Sequence, residues 1–192
     1  MLSLPAEELL DELARGTPVP GAGPAAALVT AAAAALAAMA ARYSGDSWSE
    51  SAAAVAQADS LRARAGRLVQ EDAEALQAFL TAREAVGEPR RAARDFKLGQ
   101  TLDRAADVPL AIVEAACDVA QLAAHVADHC EGDVRADAAA ATALAHGAAR
   151  AAAHLVEVNL AAAEGDSRIA RARGLVRAAG AAADEAVGRL PS

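Results

Sequence analysis

The sequence has few aromatic residues, only two cysteines and no run of basic residues. Aromatic residues make up 2% of the 192 positions, whereas 55% are hydrophobic, so alanine and leucine must fill the core. This composition speaks against a β-sandwich, which needs aromatic and β-branched residues, and it fits closely packed helices. The net charge of −8 would repel a nucleic-acid backbone, so we expect no nucleic-acid partner.

The chain also lacks the features of a secreted or membrane protein. Cys117 and Cys130 have no pairing pattern around them, and we expect both to be reduced and packed. The length of segment 24–41 is close to the minimum for a membrane span, about 18 residues. The segment is mostly alanine, however, which gains little free energy on transfer into lipid. Residues 1–12 carry four acidic residues and no basic one, unlike a secretory signal. We expect a cytoplasmic protein without a membrane partner.

Apolar periodicity and helix breakers predict an all-α fold. The length suggests one domain over residues 1–192, a mostly antiparallel bundle of six or seven helices around the alanine-rich helix 24–43. Gly87-Glu-Pro89 should interrupt the chain, Pro109 should start a new helix, and 131–137 should form a polar turn. The first predicted helix begins at Ser3–Pro5 and ends at Gly16. The others span residues 24–43, 52–86, 90–107, 110–129, 138–163 and 168–189.

The loop before the central helix concentrates prolines and glycines in one stretch. It reads Thr17-Pro-Val-Pro-Gly-Ala-Gly-Pro24, which cannot be helical, although Pro24 suits a first helical turn. The unpaired N–H groups at the helix start form a ready site for an anion or a polar ligand edge. The alternative is a tight connector, and the loop alone favours that interpretation.

Asp72 lies on the apolar stripe of the third predicted helix, four residues from both Leu68 and Leu76. A carboxylate on such a face pairs, caps another group, or has a raised pKa. A partly exposed position at the edge of the stripe is the alternative.

Elsewhere, His125 and His129 share a helix face and would make half of a zinc site. No completing ligand pattern follows them, so we expect no metal and interpret them as histidines near a helix C-terminus.

The opening of the chain resembles the cyclodeaminase/cyclohydrolase family. The resemblance is carried by Leu9-Leu-Asp-Glu-Leu13, the loop and the small-residue helix after it, and it extends over nearly the whole chain through Ala106-Asp-Val-Pro-Leu110 and Leu155-Val-Glu-Val-Asn-Leu160. This family includes the cyclodeaminase part of formiminotransferase-cyclodeaminase and bacterial methenyltetrahydrofolate cyclohydrolases. The chain departs from the family's motifs at four positions. Ala22 replaces a glycine, Pro24 a serine, Leu155 an asparagine and Glu157 an arginine.

The resemblance implies an enzyme that acts on a tetrahydrofolate derivative, either a formiminotetrahydrofolate cyclodeaminase or a methenyltetrahydrofolate cyclohydrolase. Both reactions need an acid/base at a cationic centre, for which Asp72 is the catalytic candidate. Arg94 falls where the family commonly has an arginine, and its fork suits the carboxylates of a folate tail. It also lies beside Arg90 and Arg91, and the sequence by itself favours a solvated basic cluster. The implied substrate-binding residues are Gly21, Ala22, Gly23, Arg94, Asp137 and Asn159.

Asp137 and Asn159 limit the geometry of that site. They are 22 residues apart, which is about 33 Å along a continuous helix, too far for one small ligand within one subunit. Either a second subunit brings them together or one of them is structural. We expect a homodimer for this reason, and because of the family's habit. The departures leave another possibility, a non-catalytic dimeric relative that binds folate or another small molecule.

Overall fold

The computed structural model describes residues 3–84, 91–161 and 165–188, with no side-chain description for 91–95. These residues form six α-helices and no strand, which confirms the predicted all-α fold. The helices are α1 (Ala6–Ala14), α2 (Ala22–Tyr43), α3 (Ser51–Glu84), α4 (Arg91–His129), α5 (Gly132–Asn159) and α6 (Ser167–Gly188).

The alanine-rich helix α2 lies inside the bundle. It packs against α3, α4 and α5, while α4 also contacts α6, and α6 contacts α5. Most residues of α2 that face these neighbours are alanine, so the helices approach closely without large side chains between them. The short helix α1 buries only Leu9, and the neighbouring Leu10 is exposed.

The predicted break at Pro109 is wrong, because α4 continues through this residue as one helix. A proline has no N–H, and here it leaves the carbonyl of Ala105, four residues earlier, without its usual donor. Asn159 supplies the missing donor from the end of α5, with 2.5 Å between its Nδ2 and the Ala105 oxygen. A contact between residues far apart in sequence thus keeps α4 hydrogen-bonded at its proline.

The predicted turn over 131–137 is also wrong, since α5 already begins at Gly132. Asp133 lies in the first turn, where a carboxylate complements the positive end of the helix dipole. The helix then runs without interruption to Asn159. Asp137 and Asn159 therefore lie near opposite ends of one helix, as the distance estimate assumed.

Within the described parts of the chain, two helices have the length and apolar composition of a membrane span. They are Ala22–Tyr43 and the part of α4 from Phe96 to His129, and 56% and 61% of their most apolar windows are buried within the fold. Such burial is also found in core helices that never meet a lipid. The absence of a membrane partner stays a prediction.

The α2–α3 turn and the α4–α5 turn meet at one end of the bundle. Ser44 is fully buried there, and its Oγ donates to the Ala40 carbonyl at 2.9 Å and accepts from the Glu131 N–H at 2.8 Å. Trp48 is buried with its ring stacked on His129 at 5.5 Å and edge-on to His125 at 5.6 Å. Among the described residues, no cluster of three or more histidine, cysteine or acidic side chains is arranged to hold a metal ion.

Candidate functional site

The loop residues at the start of α2 adopt a backbone that requires glycine. Gly21 is the N-cap residue of α2, with a φ of 77°, and a Cβ atom on it would lie 2.9 Å from the Pro18 carbonyl oxygen. No side chain caps this helix start. The N–H groups of Gly21, Ala22 and Gly23 have no acceptor within the helix, and Pro24 has no N–H group. This helix start therefore presents donors.

Gly23 and Asp72 are in direct contact. A Cβ atom on Gly23 would lie 2.0 Å from Oδ2 of Asp72 and 2.6 Å from Oδ1, far inside van der Waals distance. Only a residue without a side chain leaves room for this carboxyl group. The glycine predicted from the loop and the acid predicted from the helical stripe thus belong to one contact between α2 and α3.

The Asp72 carboxyl group is in an unusual environment for an acid. The residue is only 6% exposed, and no side chain among the described residues forms an ion pair or hydrogen bond with it. Burial raises the pKa of Asp72 to about 6, because the charged form loses its hydration. The group therefore changes protonation state near neutral pH, as a general acid or base should.

Asp72 opens into a small cleft between α2, α3, α4 and α5. The cleft measures about 370 Å³ including the solvent at its mouth. Among the residues that the structure describes, Asp72 is the only titratable one in the lining, so the described wall carries no cation and favours a ligand with positive charge or N–H donors. The lining residues are Ala22, Gly23, Asp72, Ala75, Leu76, Ala105, Pro109, Leu155 and Asn159.

Asn159 forms part of the cleft wall on the side of α5. Its amide orientation follows from its partner, since only Nδ2 can donate to the Ala105 carbonyl and Oδ1 cannot. That leaves Oδ1 as an acceptor without a partner in the described residues. The cleft then offers two oxygen-bearing side chains, Asp72 and Asn159, among apolar neighbours.

The structure brings together four of the predicted site residues and separates the others. Ala22, Gly23, Asp72 and Asn159 line one cleft, and Gly21 directly precedes it as the N-cap residue of α2. Asp137 is exposed and does not line this cleft. Arg94 lies in the first turns of α4, but its side chain is outside the described residues.

The sequence interpretation did not include Leu76, Ala105 and Pro109 in the site. Leu76 was recognised only as part of the apolar stripe of α3, and that stripe does carry Asp72. Pro109 was recognised as part of a motif, but it was interpreted as a helix start. Their place in the cleft depends on the packing of α3 and α4 against α2.

Comparisons with known proteins agree with this architecture. The crystal structure of formiminotetrahydrofolate cyclodeaminase from Thermotoga maritima superposes with a TM-score of 0.80 at 22% identity, covering 97% of this chain and 93% of the other. At this identity the likeness establishes the fold. No curated protein matches the sequence. The family model described as formiminotransferase-cyclodeaminase matches residues 5–175, most of the chain. The chain therefore belongs to the formiminotransferase-cyclodeaminase family.

Proposed function

We propose that this protein is a folate one-carbon enzyme that uses Asp72 to transfer protons at a cationic formimino or methenyl centre. The observation that carries the proposal is the buried Asp72 carboxyl group, whose pKa is about 6, in a cleft whose described lining contains no cation. Membership of the family supports a folate substrate, and the similar solved structure is named as a formiminotetrahydrofolate cyclodeaminase. Cyclodeamination is therefore the first reaction to test, and hydrolysis of the methenyl compound is the second.

One proton acceptor that can return its proton is sufficient for the cyclodeaminase reaction. The N10 amine of the folate attacks the protonated formimino carbon, and the new C–N bond leaves an extra proton on N10. Ionised Asp72 accepts that proton and then returns it to the amino nitrogen, which leaves as ammonia and forms the methenyl cation. Charge and protons balance, because the cation persists and Asp72 ends in its starting state. A pKa near 6 suits both transfers.

The cationic centre also accounts for the composition of the cleft. A carboxylate attracts a positive reaction centre more strongly in a poorly solvated site than in water. Oδ1 of Asn159 and the oxygens of Asp72 would accept hydrogen bonds from N–H groups of the folate ring. Tail binding by Arg94 stays a hypothesis, as does any role of Asp137.

A non-catalytic relative is the second candidate, and two departures from the family motifs favour it. Leu155 lines the cleft where the family has an asparagine, which removes one polar contact from the wall. Glu157 stands where the family has an arginine, and its carboxylate pairs with Arg173 at 2.7 Å. A folate-binding protein without turnover would be consistent with these replacements.

We also propose that the protein is a homodimer. A strongly apolar groove between α2 and α5 is open on the surface, and Ala22 belongs to both this groove and the cleft. Leu144 is 42% exposed in this groove, and a second copy of the chain would cover it. Light scattering at micromolar concentration would return twice the subunit mass. A monomer at that concentration would contradict the proposal.

The proposed function is tested by turnover and binding on one preparation. The purified protein is incubated with 5-formiminotetrahydrofolate, with release of ammonia and formation of the methenyl product measured together, and separately with 5,10-methenyltetrahydrofolate to measure hydrolysis. Thermal denaturation with each folate reports binding, since a ligand at a hundredfold excess over Kd stabilises by about 2.7 kcal/mol. For a chain of this size that is about 5–11 °C in Tm.

The outcomes separate the two candidate functions. Turnover that is lost in Asp72→Asn supports the enzyme. A thermal shift without turnover of either compound supports the non-catalytic folate-binding relative. If saturating folate gives neither turnover nor a thermal shift, both candidate functions are contradicted. Other small cations should then be tested as ligands.

A further inference from the structure

The hydrogen bond from Asn159 to Ala105 joins the end of α5 to the middle of α4. It reaches the one carbonyl that Pro109 deprives of its donor, because an N–H at position 109 would normally bond to the oxygen of residue 105. All three residues line the cleft that contains Asp72. The hydrogen bond is therefore part of the wall of the candidate site.

The pairing also fixes what Asn159 offers to a ligand. With one face of its amide held by the Ala105 carbonyl at 2.5 Å, the side chain cannot turn its nitrogen into the cleft without leaving that carbonyl unpaired. A buried carbonyl without a donor is unfavourable, so this orientation is strongly preferred. The side chain is thus held with an acceptor available.

We infer that Asn159 is a positioning residue: it replaces the helical hydrogen bond missing at Pro109, and so fixes the α4 wall of the cleft that Asp72 also lines. This inference rests on the proposed function for its effect on folate, but the structural contact is testable without any ligand. It assigns Asn159 a role that acts through Ala105 and Pro109, beyond direct substrate binding as the sequence suggested.

A double-mutant cycle tests the contact. Asn159→Ala should lower Tm by about 2–10 °C, because it leaves the Ala105 carbonyl unpaired. Pro109→Ala restores an N–H at position 109, so adding Asn159→Ala to this variant should lower Tm by less than half as much. Asn159→Asp has the same shape without the N–H donor and should be at least as destabilised as Asn159→Ala. Val158→Ala, at an exposed neighbouring position, is the matched control and should melt within about 2 °C of the wild type.

Folate binding provides the readout that a purely structural role would leave unchanged. The folate-induced rise in Tm should disappear in Asn159→Ala and return in part in the double variant, which regains the hydrogen bond to Ala105 but still lacks the Oδ1 acceptor. An equal Tm loss from Asn159→Ala in both backgrounds would overturn the contact. A loss of folate binding that Pro109→Ala fails to restore would overturn the positioning role and indicate direct contact with the ligand. If the wild type shows neither a folate shift nor turnover, the proposed function fails, whereas the Tm cycle still decides the contact.

Discussion

The two ends of the helical bundle differ in the contacts that their buried polar side chains make. At the end formed by the α2–α3 and α4–α5 turns, Ser44 both donates and accepts a hydrogen bond, and Trp48 packs against two histidine rings. At the end where α2 begins, Asp72 is buried without a polar side-chain partner among the described residues. The first end has the features of structural support, and the second has a buried carboxyl group that is available for chemistry.

The comparison shows that residue type alone is a poor guide to the site. A pair of histidines four residues apart suggests metal binding, yet in this fold His125 and His129 contact each other and Trp48. An aspartate on the apolar face of an alanine-rich helix attracts less attention, yet burial raises the pKa of Asp72 to about 6. The distinguishing feature of the end where α2 begins is a buried carboxyl group with a raised pKa.

Gly23→Val should have the largest effect at the candidate site. The Cβ atom alone would lie 2.0 Å from the Asp72 carboxylate, so either the helix start or the acid must move. We expect folate binding to be abolished and Tm to fall. Titration calorimetry and thermal denaturation measure both. Gly99→Ala is the control, because nothing lies within 4 Å of its added Cβ, and it should leave binding intact. Folate binding that survives in Gly23→Val would reduce the loop to a connector.

Asp72→Asn should reduce turnover by about 10²–10⁴-fold, since it removes a proton-transfer group. The folded protein should be at least as stable as the wild type at neutral pH, because a neutral amide replaces a buried charge. Turnover per folded molecule and Tm are measured on the same preparation. A clear loss of stability with unchanged turnover would instead identify Asp72 as an anchor of the fold.

The pH dependence of stability sharpens the same comparison. The native pKa of Asp72, about 6, is above its ordinary value of 3.8, so the native state binds protons more tightly than the unfolded state. Stability from this group is therefore present at low pH and is lost as the pH rises from about 4 to 6, by at most about 3 kcal/mol. The Tm difference between wild type and Asp72→Asn should change over that range. A constant difference would exclude the raised pKa.

At the other end, Ser44→Ala should have the smallest effect, and on stability only. It removes the hydrogen bonds to Ala40 and Glu131, which should cost about 1–3 kcal/mol. Folate binding and turnover per folded molecule should be unchanged, because the residue is at the end of the bundle away from the cleft. Equilibrium denaturation and the enzyme assay check this. A change in turnover would contradict the division between the two ends.

Local patterns in the sequence were sufficient for the helical fold and part of the site. The breakers around α2 and the stripe of α3 predict a glycine loop and an acid on a buried face, and both line or adjoin the cleft. The errors occur where a distant contact replaces a local one. The helix continues at Pro109 because Asn159 donates to Ala105, and no local rule can show that contact.

Asp137 and the start of α5 show the same limit from another side. Gly132 and Asp133 are typical turn residues, but both fit the exposed first turn of a helix, so the helix begins earlier than predicted. Asp137 then lies on the exposed surface of α5. A resemblance to a motif identifies a position in sequence, whereas only packing identifies which face that position occupies.

The close approach of Gly23 and Asp72 has a consequence for how this sequence can diverge. Neither residue can be exchanged alone for a larger one, since a side chain at position 23 and a carboxyl at position 72 would occupy the same volume. Relatives that lose the glycine should therefore have lost the acid as well, or shortened it, in the same lineage. The two positions together would separate homologues that retain the proton-transfer chemistry from those that keep only the bundle.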